Sequence, residues 1–430
     1  MKKSLLVLLV LAVMIGAFGV AYGAKSNVTL TFGAHQAGVP ISGVDQKIAK
    51  VFEKETGIKI DFQIVPDAQW RDLLKVKLAS GEAPDIFLVD ADPFSLNDRI
   101  HPAENCIDLS KEKFISRMDP VFLPSVSYKG KVYGLSIFPG VKIWIYYYDK
   151  ALFKKLNLEP PKSYAEFKQV CQTIKDAGVV PVYESLANGW HQVLPLFEIG
   201  ATYEKAHSKL YDRLNTNKFQ VTQIPGLVKT LTQLKEFADL GFYNKDFMTA
   251  NYDDGFKIMA EGKAAIFMAG LGWREQLDQL YPGKGKNIGF FIMPWNDNQI
   301  LNVNPAGNAR FGNKKSKHVK EILQYFRFLT RHDILQMRQD LDEQTLVLNW
   351  PEIPSRFPED IQALFKNSEQ GTVMQYGVKY IDSQWMDVGK DIEAMYAGAL
   401  TPKQVVDNIQ KRRIEQATLQ KDPYWAKKSK

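Results

Sequence analysis

Val28, Leu30 and Phe32 alternate with polar residues, which predicts a strand opening the folded part of the chain. A Gly- and Pro-containing loop follows (33–43), then a helix with Ile48, Val51 and Phe52 on one face, stopped at Gly57. Ile58, Ile60, Phe62 and Ile64 alternate as a second strand. Asp67 is placed to cap a helix carrying Leu73, Leu74 and Leu78, which Gly81 ends. Ile86 to Val89 is a continuous apolar run, as expected of a strand buried on both faces. Strand, helix, strand, helix, strand predicts parallel pairing with right-handed crossovers, hence an α/β sheet.

The same grammar returns further on. Ile143 to Tyr148 is strongly β-prone, and Ser163-Tyr164-Ala165-Glu166 reads as a capping box opening a helix with Phe167, Val170, Cys171 and Ile174 on its apolar stripe, closed by Gly178. A helix with Phe256, Met259 and Ala260 leads through Gly262 into the strand-like run from Ala264 to Ala269. Ser316 is placed to cap a helix with Val319, Ile322, Leu323, Phe326 and Leu329 on its buried face. Trp385, Val388, Ile392, Met395 and Tyr396 share another face, and Thr401-Pro402 starts the helix after it. At 430 residues without tandem repeats or low-complexity linkers, two α/β lobes joined by strands is the economical architecture.

Ahead of this pattern, Lys2 and Lys3 precede an apolar run from Leu5 to Ala21 that ends in Ala21-Tyr22-Gly23. This reads as an export signal over residues 1–23, cleaved after Gly23, and it places the mature protein in the periplasm. An uncleaved anchor is the competing reading, since the run approaches spanning length. Gly16, Gly19 and the small residues at the cleavage site favour removal, and the absence of a following Cys argues against a lipid anchor there. The net charge of +7 is scattered in mixed-sign runs, which does not fit a nucleic-acid-binding surface. With two cysteines, Cys106 and Cys171, there is no disulfide scaffold, and Cys171 on a core stripe reads as a free buried thiol.

Catalytic signatures are missing: no GxSxG, no HExxH and no phosphate-binding GxxxxGK occur. Gly283-Lys284-Gly285-Lys286 reads as an exposed turn, and the six histidines lack ligand spacing, so neither a metal nor a cofactor is expected. Asp253-Asp254-Gly255 reads as a helix start rather than a calcium loop. Asp90 and Asp92 lie just past a buried strand, where α/β sheets place ligand groups. Trp70, Trp144, Trp190, Trp273 and Trp385 sit at element edges beside polar residues. Core packing is the ordinary fate of each. A group of them would suit a sugar, whose apolar face stacks on flat rings while its hydroxyls take carboxylate and amide partners.

Five segments, in this order, resemble the family-1 extracellular solute-binding proteins of ABC importers, the group that includes maltose and oligosaccharide binders. They are Phe52-Glu53-Lys54-Glu55-Thr56-Gly57-Ile58, Leu78-Ala79-Ser80-Gly81-Glu82-Ala83-Pro84-Asp85-Ile86, Tyr133-Gly134-Leu135 followed by Tyr147-Tyr148-Asp149-Lys150, Gly262-Lys263-Ala264-Ala265-Ile266 with Trp273, and Tyr396-Ala397-Gly398 with Leu400-Thr401-Pro402. The resemblance implies a two-lobed periplasmic-binding-protein fold of Venus-flytrap type: each lobe a mainly parallel sheet flanked by helices, with crossing strands as the hinge. It implies an N-lobe of residues 24–138 and 305–345 and a C-lobe of 139–304 and 346–430.

By the same resemblance the interlobe cleft would hold His35, Gln36, Asp90, Asp92, Glu184, Trp190, Trp273 and Trp385, with Lys142 and Trp144 at the crossover. Two positions depart from the maltodextrin-binding members, which carry an Arg where Gly389 stands and an acidic group near Lys142. Maltose is therefore disfavoured, and Lys142 leaves room for an acidic or phosphorylated sugar. The expected function is capture of a small carbohydrate by a monomer that delivers it to a membrane permease, without catalysis. A non-sugar or phosphorylated metabolite is the alternative ligand. A secreted carbohydrate-acting enzyme would need a carboxylate pair such as Asp90 with Glu184, about 5 to 9.5 Å apart.

Overall fold

The computed structural model describes residues 28–137 and 142–425; the export segment lies outside the described residues. Strand β1 (Thr29–His35), helix α1 (Val44–Thr56), β2 (Lys59–Val65), α2 (Asp67–Ser80) and β3 (Ile86–Ala91) follow the predicted order. Gly57 and Gly81 end the two helices in the left-handed conformation, φ 79° in both, which costs a Cβ-bearing residue more than glycine. Next come the short β4 (Gly134–Leu135), then β5 (Trp144–Asp149), α3 (Tyr164–Asp176), β6 (Val180–Tyr183) and β7 (Ala264–Gly270). The chain ends through α4 (Trp273–Leu280), β8 (Ile288–Phe291), β9 (Leu301–Val303), β10 (Gly307–Gly312), α5 (Val319–Leu329), β11 (Gln370–Thr372), α6 (Trp385–Tyr396) and α7 (Pro402–Leu419).

These strands build two principal sheets, ordered β2-β1-β3-β10-β4 and β8-β5-β7-β6. In each, one strand runs against the rest: β10 is antiparallel to β3 and β4, and β5 is antiparallel to β7 and β8. Both reversed strands are those that the chain enters directly from the other lobe. A strand arriving across the hinge has no crossover helix to turn it round, so it pairs antiparallel. The remaining strands share one direction, as the βαβ pattern requires.

The core around the first sheet draws Leu30, Phe32, Phe52, Trp70, Phe87 and Phe311, and also Leu348, Trp350 and Ile353 from the late chain. Trp350 donates its indole N–H to the Ser136 carbonyl at 3.0 Å, and Asn349 Nδ2 reaches Ser136 Oγ at 2.8 Å. Two further clusters flank the second sheet, one centred on Phe167, Phe237 and Trp295, the other on Tyr147, Phe267 and Trp273. Cys106 and Cys171 are both free and buried, in the first-sheet core and beside α3 respectively. Among the described residues no helix is long and apolar enough to cross a membrane.

Three caps differ from the pattern reading. Asp67 is the first helical residue rather than the cap, which is Pro66, and its carboxylate is used elsewhere. Ser316 stands two residues before the cap of α5, His318: it accepts from the His318 N–H and donates to Asp85 Oδ1. Glu166 reaches the Lys162 N–H rather than closing the box on Ser163. Thr401 and Gln404 do form the reciprocal box, with Pro402 at the first turn of α7.

Candidate functional site

Between the lobes lies a cleft of two adjoining chambers, of about 230 and 130 Å³. Asp90, Lys142, Trp144 and Trp190 line both and form the waist between them. Each comes from an element end: Asp90 from the C-terminal end of β3, Lys142 and Trp144 from the crossing segment that opens β5, and Trp190 from the loop after β6. Carboxyl ends of strands are where open α/β sheets expose their ligand groups.

Aromatic rings wall the first chamber. Trp144 and Trp190 lie 5.5 Å apart by ring centroids, and Tyr252 sits 5.1 Å from Trp190 and 6.2 Å from Trp144. His35, Gln36, Asp90, Asn308 and Gln344 also line this chamber. The second chamber is more polar: Arg71, Asp92, Glu198, Asn304, Gln375 and Tyr376 surround it, with Trp385 on one wall.

The charges are mutually engaged. Arg71 Nη2 meets Asp90 Oδ2 at 2.8 Å and His35 Nε2 lies 3.6 Å from Asp90 Oδ1. Burial pushes the Asp90 carboxyl up, but the charges of His35, Arg71 and Arg99 outweigh it and hold the group well below the usual carboxylate range. It stays 35% exposed to the cleft, so a ligand hydroxyl can reach it. Lys142 is pushed down by burial, against which the Asp90 and Glu198 carboxylates pull it up. Its chain runs over Gly307, where an added Cβ would sit 3.0 Å from Lys142 Cε and 3.1 Å from Nζ, so a larger residue there would press the end of the lysine chain aside. Burial raises Glu198 to about 8, against the Gln375 hydrogen bond and the Lys142 charge.

Of the residues singled out from sequence, the cleft gathers His35, Gln36, Asp90, Asp92, Lys142, Trp144, Trp190 and Trp385. Asp92 touches the second chamber, yet its carboxylate is occupied by its own loop, accepting from Phe94 N at 2.8 Å, Ser95 N at 3.0 Å and Ser95 Oγ. Trp385 presents one wall while its indole donates to the Trp190 carbonyl at 3.0 Å. Two expected residues stand elsewhere. Trp273 is fully buried, stacked on Phe256 at 5.2 Å and packed on Tyr147 and Phe267 at 5.3 Å, because the first turn of α4 faces β7 and not the cleft. Glu184 lines neither chamber. It lies beneath the aromatic wall, bonded to His191 Nδ1, whose Nε2 is 2.9 Å from the Met268 carbonyl. No carboxylate pair of Asp90 with Glu184 therefore faces across the cleft. Trp70 is core, its indole donating to the Leu88 carbonyl at 2.8 Å.

Sequence reasoning passed over Tyr252, Asn308, Arg71 and Glu198; Asp253, read as a helix start, does precede the helix Asp254–Ala260 and also lines the first chamber. Glu198 carried a readable signal, a lone acid inside the apolar run Leu194 to Ile199. Asn308 had none: it is a polar residue in a strand whose partner was not visible.

A sequence profile of the bacterial extracellular solute-binding proteins matches residues 38–334. The chain belongs to this family. Among curated proteins it is 25% identical over 305 residues to the multiple sugar-binding protein of Streptococcus mutans, covering 69% of this chain and 70% of that one. It is 25% identical over 261 residues to the melibiose/raffinose/stachyose-binding protein of Bacillus subtilis, covering 58% of this chain and 57% of that one. Among solved structures, a chitin oligosaccharide binding protein superposes with TM-score 0.74 at 18% identity, over 91% of this chain and 99% of that one. A Bacillus licheniformis sugar transporter protein in complex with stachyose gives TM-score 0.70 at 21% identity, over 90% and 99%. These likenesses establish the two-lobed solute-binding fold.

Gly389, where maltodextrin binders of this family were expected to carry Arg, has a physical reason for lacking a side chain. A Cβ there would lie 2.2 Å from the Gly189 carbonyl oxygen and 3.0 Å from Gln192 Nε2. The loop carrying Trp190 packs directly on α6, and an arginine has no room.

Proposed function

We propose that this solute-binding protein captures a neutral carbohydrate in the two-chambered cleft and presents it to the membrane permease of an ABC importer. One observation carries the reading: Trp144, Trp190 and Tyr252 form a contiguous aromatic wall beside Asp90, whose carboxylate is ionised and partly exposed. Ring stacking plus hydroxyl acceptance by a charged carboxylate is the chemistry that holds a sugar. The named ligands of the relatives, among them raffinose and stachyose, are of this class.

Charge balance favours a neutral ligand over an acidic or phosphorylated one. Arg71 is engaged by Asp90, Arg99 by Asp92 and Asp382, and Lys142 lies in the field of Asp90. A phosphate or uronate would have to displace these partners. The mature chain would begin at Ala24, act as a monomer outside the cytoplasmic membrane, and carry no catalytic step. Its first lobe would comprise residues 24–138 and 305–345, lengthened to about Pro354 by the packing of Leu348, Trp350 and Ile353; its second lobe would hold 139–304 and the late chain.

A thermal-shift screen against neutral and acidic mono- and oligosaccharides tests the reading. A ligand at 100 times its Kd adds about 2.7 kcal/mol of stability. Stabilisation by neutral sugars is expected; stabilisation by acidic sugars alone would contradict it.

A further inference from the structure

The carboxylate of Asp67 joins the two lobes with one oxygen each. Oδ1 serves its own lobe, accepting from the Ala37 N–H at 2.8 Å and lying 3.1 Å from His35 Nδ1. Oδ2 serves the opposite lobe, accepting from Asn188 Nδ2 at 3.0 Å and the Trp190 indole N–H at 2.9 Å. The residue is only 6% exposed. Burial pushes its carboxyl up, but His35 above all, then the Ala37 and Trp190 hydrogen bonds, bring it below the ordinary value. Asn188 in turn accepts from the Tyr252 N–H at 2.8 Å. A single carboxylate is thus connected to His35 on one wall of the first chamber and to Trp190 and Tyr252 on the other.

We infer that Asp67 is a positioning residue that couples lobe closure to the orientation of the Trp190 ring, so that the stacking wall is completed as the lobes meet. Separating the lobes removes both partners of Oδ2 together, and a carboxylate oxygen losing two donors at once gives the equilibrium a sharp preference for the shut state. Other interlobe contacts among the described residues lack this link to the first chamber's wall: Arg99 with Asp382, Gln420 with Asp98, Gln36 with Asp253 at 3.0 Å, and the hydroxyl of Tyr376, a ring of the second chamber, with the Val121 carbonyl at 3.5 Å. The inference rests on the carbohydrate reading for its ligand consequence, but not for its mechanical one.

The experiment compares wild type, Asp67→Asn and Trp190→Phe by small-angle scattering without ligand and by calorimetric titration with raffinose, stachyose and maltotriose. Trp190→Phe keeps Asp67 and a ring while deleting the indole donor, so it serves if Asp67→Asn folds poorly. Both variants are expected to show a larger unliganded radius of gyration. Both should also bind about tenfold more weakly, the loss expected when a charged acceptor is parted from its donor. Combining the two should cost less than the sum, because they break the same bond. A merely structural role would lower the melting temperature and leave the lobe separation and the affinity of the folded protein as in wild type, which would overturn the inference. If none of the three sugars binds wild type, the carbohydrate reading fails, and the scattering comparison alone decides the latch.

Discussion

Lys142 and Asn304 exchange backbone hydrogen bonds across the hinge, Lys142 N to Asn304 O at 3.1 Å and Asn304 N to Lys142 O at 2.8 Å. The two crossing segments are therefore paired at the point where the Lys142 side chain enters the cleft. The residue lines both chambers at their shared waist, as Asp90 does. Shortening it should act on ligand and hinge together. Lys142→Met keeps the aliphatic volume and removes the charge. It should raise the ligand Kd about tenfold, with the backbone pairing intact, as read by calorimetric titration.

The tryptophans separate into two groups by what they touch. Trp144→Ala and Trp190→Ala should weaken sugar binding by roughly ten- to a hundredfold, the consequence of losing about 1.5 to 3 kcal/mol of buried ring contact. Trp273→Ala should instead lower stability by about 3 to 5 kcal/mol and leave the affinity of the folded protein unchanged. Melting curves paired with titrations of each variant measure both effects.

This division marks how far the sequence could be read. The strand–helix order, the glycine stops and the two-lobed fold were legible because periodicity and glycine conformation are local. Trp273 was not: its place at the start of a helix is the same whether that turn faces a cleft or a sheet, and only the register of β7 decides. Glu184 was a cleft candidate only through the family resemblance, and its partner His191 follows it in the chain without any signal of burial. Asp67 was read as a helix cap, since a sequence cannot show that donors 121 and 123 residues away claim its oxygens. Asp90 drew notice from its strand end, whereas Lys142 came only with the crossing segment that the family resemblance implies.

Glu198 makes stability fall as pH rises. Its folded value of about 8 exceeds the ordinary glutamate value of 4.5, so the folded state holds a proton that the unfolded state has released between those limits. Stability from this group is full below about pH 4.5 and declines towards pH 8, by at most roughly 1.4 kcal/mol per pH unit. Asp98, raised by burial to about 6, adds the same sign between its ordinary value of 3.8 and about 6. Denaturant melts at pH 5, 6.5 and 8 should show wild type losing stability with rising pH and Glu198→Gln losing less. Parallel pH profiles would contradict the assignment.

Asp45 lies between two buried guanidiniums, 2.6 Å from Arg310 Nη2 and 2.7 Å from Arg338 Nη1. Removing the carboxylate leaves two cations facing each other in the core of the first lobe. Asp45→Ala should cost about 3 to 5 kcal/mol, the penalty of breaking a buried ion pair by removing one partner. Because Arg338 also lines the first chamber, any surviving folded variant should bind its ligand less tightly. Chemical denaturation with a parallel titration reads both.

Cys106 and Cys171 sit in separate cores, and burial raises both thiols. Thiol counting on denatured, unreduced protein should find two free groups.

The central claim is a neutral carbohydrate in the interlobe cleft, stacked on Trp144 and Trp190. Its most direct test is calorimetric titration of the mature protein with raffinose, stachyose and maltotriose beside galacturonate and glucose 6-phosphate, repeated on Trp144→Ala. The account predicts saturable one-to-one binding of at least one neutral oligosaccharide, weakened at least tenfold in the variant, and little heat from the acidic sugars. Tight binding of an acidic sugar with none of the neutral ones, or an affinity indifferent to Trp144, would contradict it.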